Sequence, residues 1–344
     1  MAQALELPLM ISDNMILQRD KPVRIWGWSS EKKVTVKFNG QTVDTDVTDG
    51  KWMVNLKPMQ HHSKPLVMDI TDGKDTKALQ NILIGDVFFC AGQSNMEMRV
   101  THSNDCKEIV KTSQNAQIRV CSSIITTAKT PQLKLKGFSG WHEASPASLA
   151  VSGVLPKRGF SGTAYSFARA LHEQTNIPVG VMVSAWGGTT IEAFTDKETL
   201  AKYTNRPTIL RGAKNVPSEV YNALVHPFTN FEVAGFVWYQ GESNVSNTDY
   251  DHKVTLLRDR WRTLWNDNKK PFYMVQICPF NYGKKVNIEA FWKQQIAVAE
   301  SDPLTHIART EDIGNLKDIH PHNKKEVGSR LAALAAKQLK KIKK

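Results

Sequence analysis

The stretch GDVFFCAGQSNMEM, Gly85 to Met98, decides the reading of the fold. It begins as an unbroken apolar run and ends in small and polar residues around one serine. An apolar run bounded by glycine is the pattern of a strand buried on both faces, as in a parallel sheet covered by helices. Such sheets bind ligands at the carboxyl ends of their strands. Ser94 stands at that end on a glycine-assisted turn, where a hydroxyl serves either as a nucleophile or as an ordinary helix cap.

Working outward, the chain changes character near residue 84. Downstream, strand-like runs at 85–90, 117–121, 178–184, 234–239, 272–278 and 305–309 alternate with helical patterns at 160–175, 250–266, 287–300 and 323–340. That alternation predicts an α/β domain over 85–344, with a parallel sheet covered on both sides. Upstream lie KPVRIWGWS, KVTVKFNG, KWMVNLKP and PLVMDITDG, short alternating segments separated by Gly, Asp, Asn and Ser turns. No stretch between them is long enough for a helix, so residues 1–84 are expected to form a small all-β sandwich domain. No internal repeat or low-complexity linker separates the two parts.

Composition narrows the function. The chain has 344 residues, 41% hydrophobic and 23% charged, which suits a globular protein with a substantial core. No apolar run approaches the roughly 20 residues that span a bilayer, so membrane insertion is not expected. The net charge of +12 comes from lysines spread along the chain, with one dense run, KQLKKIKK, that reads as the solvated end of a last helix. Without aromatic-basic interleaving or a recognised motif, nucleic acid is not an expected partner. Cys90, Cys106, Cys121 and Cys278 form no CxxC pair, and Cys90 and Cys278 end strand-like runs as buried thiols. The N-terminal MAQALELPLM lacks the plan of a signal peptide, which fits a cytoplasmic protein or the mature part of an exported one. The residues fix no oligomeric state.

Four motifs fall at or beyond strand ends. The first is Gly92-Gln93-Ser94-Asn95-Met96. In SAWGGTTIE, Gly187 and Gly188 either bring backbone N–H groups close to a substrate or simply make a tight turn. In GFVWYQGESN, the amides of Gln240 and Asn244 are suitable oxyanion donors and equally suitable loop residues. In DIHPHNKKEVGSRLA, His320 precedes Pro321, and Asn323 with Glu326 has the spacing of a capping box that opens the last helix. A histidine fixed in this way is the natural general base for a serine. His320 and His322 also make an H-x-H pair, but no thiol or carboxylate cluster stands nearby at ligand spacing, so no metal is expected.

GQSNM, GGTTIEAF, WYQGESN and DIHPHNK resemble the motifs of the sialate O-acetylesterase family of SGNH hydrolases, which are carbohydrate O-acetylesterases. LPLMISDNMILQRDKPVRIWGW is similar to the β-sandwich that precedes the catalytic domain in bacterial members, and NILIGDVFFCAGQSNM to their domain junction. The resemblance implies a flavodoxin-like three-layer α/β/α domain with Ser94 as nucleophile and His320 as base. It also implies an oxyanion hole made by the Ser94 amide, the Gly187-Gly188 backbone and a side-chain amide. Ser243 stands where the superfamily has its asparagine, so Gln240 is the first choice for that amide and Asn244 the second. Lys317 stands where the superfamily's triad aspartate is expected. Asp318 is then the nearest carboxylate, with Asp312 or a Ser-His dyad as alternatives. Gln93, Trp186 and Glu242 are expected substrate contacts, Trp186 being either a sugar platform or core packing.

The resemblance further implies an O-acetylated carbohydrate as substrate, no cofactor, and a secreted or periplasmic bacterial setting. The sugar stays open between sialic acid, xylose and other glycan units. A non-catalytic carbohydrate-binding protein on the same fold, or a serine hydrolase acting on a thioester or peptide, stays open beside it.

Overall fold

The computed structural model describes residues 4–150, 159–203 and 212–342. Its first part is strand-built: β1 (Ile16–Gln18), β2 (Val23–Trp28), β3 (Lys33–Phe38), β4 (Gln41–Asp46), β5 (Lys51–Leu56), β6 (His62–Thr71) and β7 (Thr76–Gly92). In β3 and β5 every second residue is buried, Val34, Val36 and Phe38 in one and Trp52, Val54 and Leu56 in the other, as a two-residue period requires. β4 has no apolar alternation. It forms because the Asn39-Gly40 turn, with both residues at positive φ, folds it back on β3. No helix lies among the described residues before β7 ends.

β7 carries the chain from one half of the molecule to the other. Its first part pairs antiparallel with β6 and its last part pairs parallel with later strands. The division expected at residue 84 therefore falls inside one continuous strand. The apolar core is continuous as well: Ile25, Val36 and Ile70 belong to the same cluster as Phe89 and Trp238. A buried ion pair, Arg19 Nε to Asp86 Oδ1 at 2.8 Å, pins the early chain to β7.

The remaining strands are β8 (Asn115–Ser122), β9 (His142–Ala144), β10 (Val179–Ala185), β11 (Gly235–Tyr239), β12 (Phe272–Val275) and β13 (Thr305–Ala308). They complete a mixed α/β fold around a mostly parallel sheet ordered β13-β12-β11-β7-β10-β8-β9. Only β9 is antiparallel to its neighbour in that series. The flavodoxin-like order implied by the resemblance places the first parallel strand between the second and third. Here β10 lies between β8 and β7, because β8 uses its outer edge for β9 and its inner edge for β10. As a result the ends of β10, β7 and β11 lie side by side, with Ala185 and Tyr239 both in register with Gly92.

Alternate residues of β7 enter different cores. Phe88 and Cys90 pack with helices Gly162–Thr175 and Lys324–Ile342, while Val87, Phe89 and Ala91 pack on the face covered by helices Tyr250–Leu264 and Ile288–Glu300. On the latter face Trp261 meets Phe89, Phe236 and Trp238 edge-on. These aromatic contacts fix the sheet beneath its carboxyl edge.

Candidate active site

Gly92 ends β7 at φ 140°, and a Cβ there would stand 2.0 Å from the Tyr239 carbonyl oxygen. Only glycine lets β11 pass this close. The Gln93 N–H donates to that carbonyl at 3.0 Å, and the Gly92 carbonyl accepts from Trp186 N at 3.1 Å. Held on both sides, the chain turns into the one-turn helix Ser94–Glu97. Ser94 opens it and is half-buried.

The histidine arrives from the far end of the chain. Asn323 caps the last helix by accepting from Glu326 N at 3.3 Å, whereas the Glu326 carboxylate pairs with Arg330 at 2.8 Å instead of completing the box. Pro321 and this cap fix the preceding loop, and His320 Nε2 comes to 2.8 Å from Ser94 Oγ. Burial, and after it the Lys324 and His322 charges, hold the His320 imidazole below its ordinary pKa, while Asp318 acts in the opposite direction. A neutral ring with Nε2 facing the hydroxyl is set to accept its proton.

Asp318 is close to His320 but is not bonded to its ring. One carboxylate oxygen accepts from the His320 main-chain N–H at 2.8 Å, and the other faces His322 Nε2 at 3.1 Å. These bonds hold Asp318 below the usual carboxylate range. The alternative acid, Asp312, forms a two-pronged pair with Arg330 at 2.7 and 2.6 Å and is exposed.

The glycine pair does approach the serine: a Cβ on Gly187 would lie 3.2 Å from Ser94 Cβ. The Gly187 N–H donates to Glu97 Oε2 at 2.6 Å. Lys214 Nζ grips the Gly187 carbonyl at 2.6 Å and Asn215 Nδ2 the Gly188 carbonyl at 3.2 Å, fixing the turn from its other side.

The two candidate side-chain amides are turned elsewhere. Gln240 Nε2 donates to Asn244 Oδ1 at 2.7 Å and lies within reach of Gln93 Oε1 and Thr189 O. Asn244 Nδ2 donates to Glu192 Oε2 at 3.0 Å and to Asn247 Oδ1 at 3.2 Å. Neither amide has a hydrogen left for an oxyanion, because both are needed to satisfy buried acceptors. Two expected substrate contacts change for the same reason. Gln93 is buried, its carbonyl accepting from Gln240 and from Ser243 N at 3.2 Å. Glu242 is also buried, and its Oε1 accepts from Asn95 Nδ2 at 2.5 Å. Trp186 is half-buried against the apolar core.

Ser94 and His320 open onto a cleft of about 520 Å³ walled by Glu97, Met98, Arg99, His102 and His322. Of these wall residues only His322 stands out in the sequence, and there as half of an H-x-H pair and not as a wall of the cleft. Glu97 had a signal, since three residues past Ser94 in a helix is one face. Among the described residues, no group of three or more His, Cys, Asp or Glu is arranged to hold a metal ion.

Fold and site give a mixed α/β protein with a serine and a histidine in contact at the carboxyl edge of its sheet, and its relatives make it a carboxylic-ester hydrolase. Residues 84–340 match the family described as carbohydrate esterase, sialic acid-specific acetylesterase, and the chain belongs to that family. It is 29% identical over 361 residues to sialate O-acetylesterase of Pongo abelii, covering 93% of this chain and 68% of the relative. The human sialate O-acetylesterase is 28% identical over the same shares. Among solved structures, XAC1771, a carbohydrate acetylesterase from Xanthomonas citri, superposes with a TM-score of 0.88 at 32% identity, covering 97% of this chain and 75% of that one.

Proposed function

We propose that this enzyme removes acetyl groups from O-acetylated sugars, sialic acid or another host or plant glycan, through an acyl-enzyme on Ser94. The observation that carries the reading is the 2.8 Å contact between His320 Nε2 and Ser94 Oγ at the open end of β7. His320 takes the serine proton as Oγ attacks the ester carbonyl. It then returns that proton to the sugar oxygen as the C–O bond breaks. Water, deprotonated by the same ring, attacks the acetyl-serine, and as the acyl C–O bond breaks the ring returns the proton to Ser94 Oγ and acetate leaves.

The developing oxyanion is held by the Ser94 N–H and by the Gly187 N–H, which it takes over from Glu97. Asp318 fixes the His320 main chain, and its charge supports the transient imidazolium. We read residues 1–84 as a small β-sandwich buttress, and the enzyme as one working outside the cytoplasm on extracellular glycans.

The test is acetate release from a panel of acetylated sialosides, xylans and other glycans, with thioesters and peptides as comparison substrates. Release from acetylated sugars that disappears in Ser94→Ala supports the reading. Binding of a glycan without release, or faster turnover of a thioester or peptide, overturns it.

A further inference from the structure

Behind the serine–histidine pair lies a buried polar cluster that the proton transfers do not use. Asn95, the residue after Ser94, has no exposed surface. Its Nδ2 donates to Glu242 Oε1 at 2.5 Å and to the carbonyl of Ile319, the residue before His320, at 3.0 Å. Its Oδ1 accepts from Lys324 Nζ at 2.5 Å. Lys324 is the first residue of the last helix and is fully buried, with its ammonium 5.1 Å from the centre of the Tyr239 ring. One amide therefore bridges a buried carboxylate and a buried ammonium while also tying the nucleophile turn to the histidine loop. A buried charge without a partner is costly, so each member holds the others in place.

We infer that Asn95, Glu242 and Lys324 are positioning residues: Asn95 couples the Ser94 turn to the His320 loop, and Lys324, held opposite Glu242, sets the charge that His320 experiences. This inference rests on Ser94 and His320 being the catalytic pair. Ser94 meets the His320 ring at 2.8 Å, Asp318 and His322 belong to the same loop, and the Lys324 ammonium reaches that loop through Asn95, whose Nδ2 bonds the Ile319 carbonyl. After burial, Lys324 is the largest influence holding His320 below the ordinary imidazole value. Burial brings Lys324 itself down to about 8, against the pull of Cys278, Glu242 and Asp318. Burial pushes Glu242 up, and the Asn95 hydrogen bond and Lys324 oppose that push.

A cluster that only stabilised the fold would change melting temperature and leave the pH profile alone. The test is kcat/KM against pH on p-nitrophenyl acetate for wild type, K324M, K324R and N95A, with melting curves and fluorophosphonate labelling of Ser94. Without the Lys324 charge, His320 keeps its proton to higher pH. K324M is then expected to move the acid limb upward by about half a unit or more, and K324R to restore it. N95A is expected to keep the limb in place and lose kcat roughly 10²-fold with KM little changed, the signature of a misplaced base.

A folded K324M with the wild-type limb, or N95A with kcat within about threefold of wild type, overturns the inference. If K324M does not fold, N95A decides alone. Labelling separates the two claims. Absence of label at Ser94 sinks the catalytic assignment, whereas label at Ser94 with unchanged variants sinks only the positioning role.

Discussion

Gln93 and Ser94 are neighbours in sequence, yet they belong to two polar layers that differ in every physical respect. The upper layer, Ser94, His320, Asp318 and His322, lines an open cleft, and its bonds are few. The lower layer, Gln93, Gln240, Asn244, Glu192 and Lys253, is buried, and its members bond mainly to one another. Lys253 Nζ, for instance, meets Glu192 Oε1 at 3.0 Å and Asn247 Oδ1 at 2.8 Å. Each layer contains a carboxylate, Asp318 in one and Glu192 in the other, so the presence of a charged group does not separate them. What separates them is whether a bond can be exchanged for one to substrate: in the upper layer it can, while in the lower layer any exchange leaves a buried group unsatisfied.

This contrast sets an order of expected effects. Ser94→Ala and His320→Ala should each lower kcat/KM by at least about 10³-fold, with the double variant little worse, because they act as one unit. Losses that simply multiply in steady-state assays would break the pairing. Asp318→Asn should cost less, roughly 10- to 100-fold, since the aspartate acts through the His320 main chain and its charge and not through a ring hydrogen bond. A loss of about 10⁴-fold in that variant would mean that the carboxylate reaches the ring during turnover.

Gln240→Ala belongs to the lower layer and should act mainly on stability, by about 1–3 kcal/mol in denaturant titration, with kcat within roughly tenfold. A collapse of kcat at unchanged stability would return Gln240 to the oxyanion hole. Asp312→Asn should be smallest, leaving kcat/KM within about twofold, because the Arg330 pair it breaks is exposed and away from the serine.

Much of this was legible in the sequence, and the failures share a cause. The helical patterns at 160–175 and 250–266 correspond to helices Gly162–Thr175 and Tyr250–Leu264, because amphipathic period is a local property. β7 was read from residue 85 only, since Thr76–Asn81 is mostly exposed and becomes a strand through pairing with β6. β4 is the same case: QTVDTD has no apolar rhythm and depends on the hairpin turn before it.

In the site, the positions of Ser94 and His320 were readable because each stands where a local signal fixes the chain, glycine at a strand end for one and proline with a helix cap for the other. The directions of Gln240, Asn244 and Glu242 were not. They depend on how closely β11 passes Gly92 and on which groups stand behind that crossing, and both follow from the register of β7 with β11. Asn95 and Lys324 lay within the quoted motifs, but their role exists only once the first and last parts of the catalytic region meet.

The most direct test of the central claim is intact-mass and peptide mass spectrometry of the wild-type enzyme after reaction with a fluorophosphonate, run alongside His320→Ala. One adduct per chain is expected, on the peptide carrying Ser94, formed in step with loss of esterase activity and strongly slowed in the variant. Loss of activity with the adduct on another residue, or full activity with Ser94 fully modified, would contradict it.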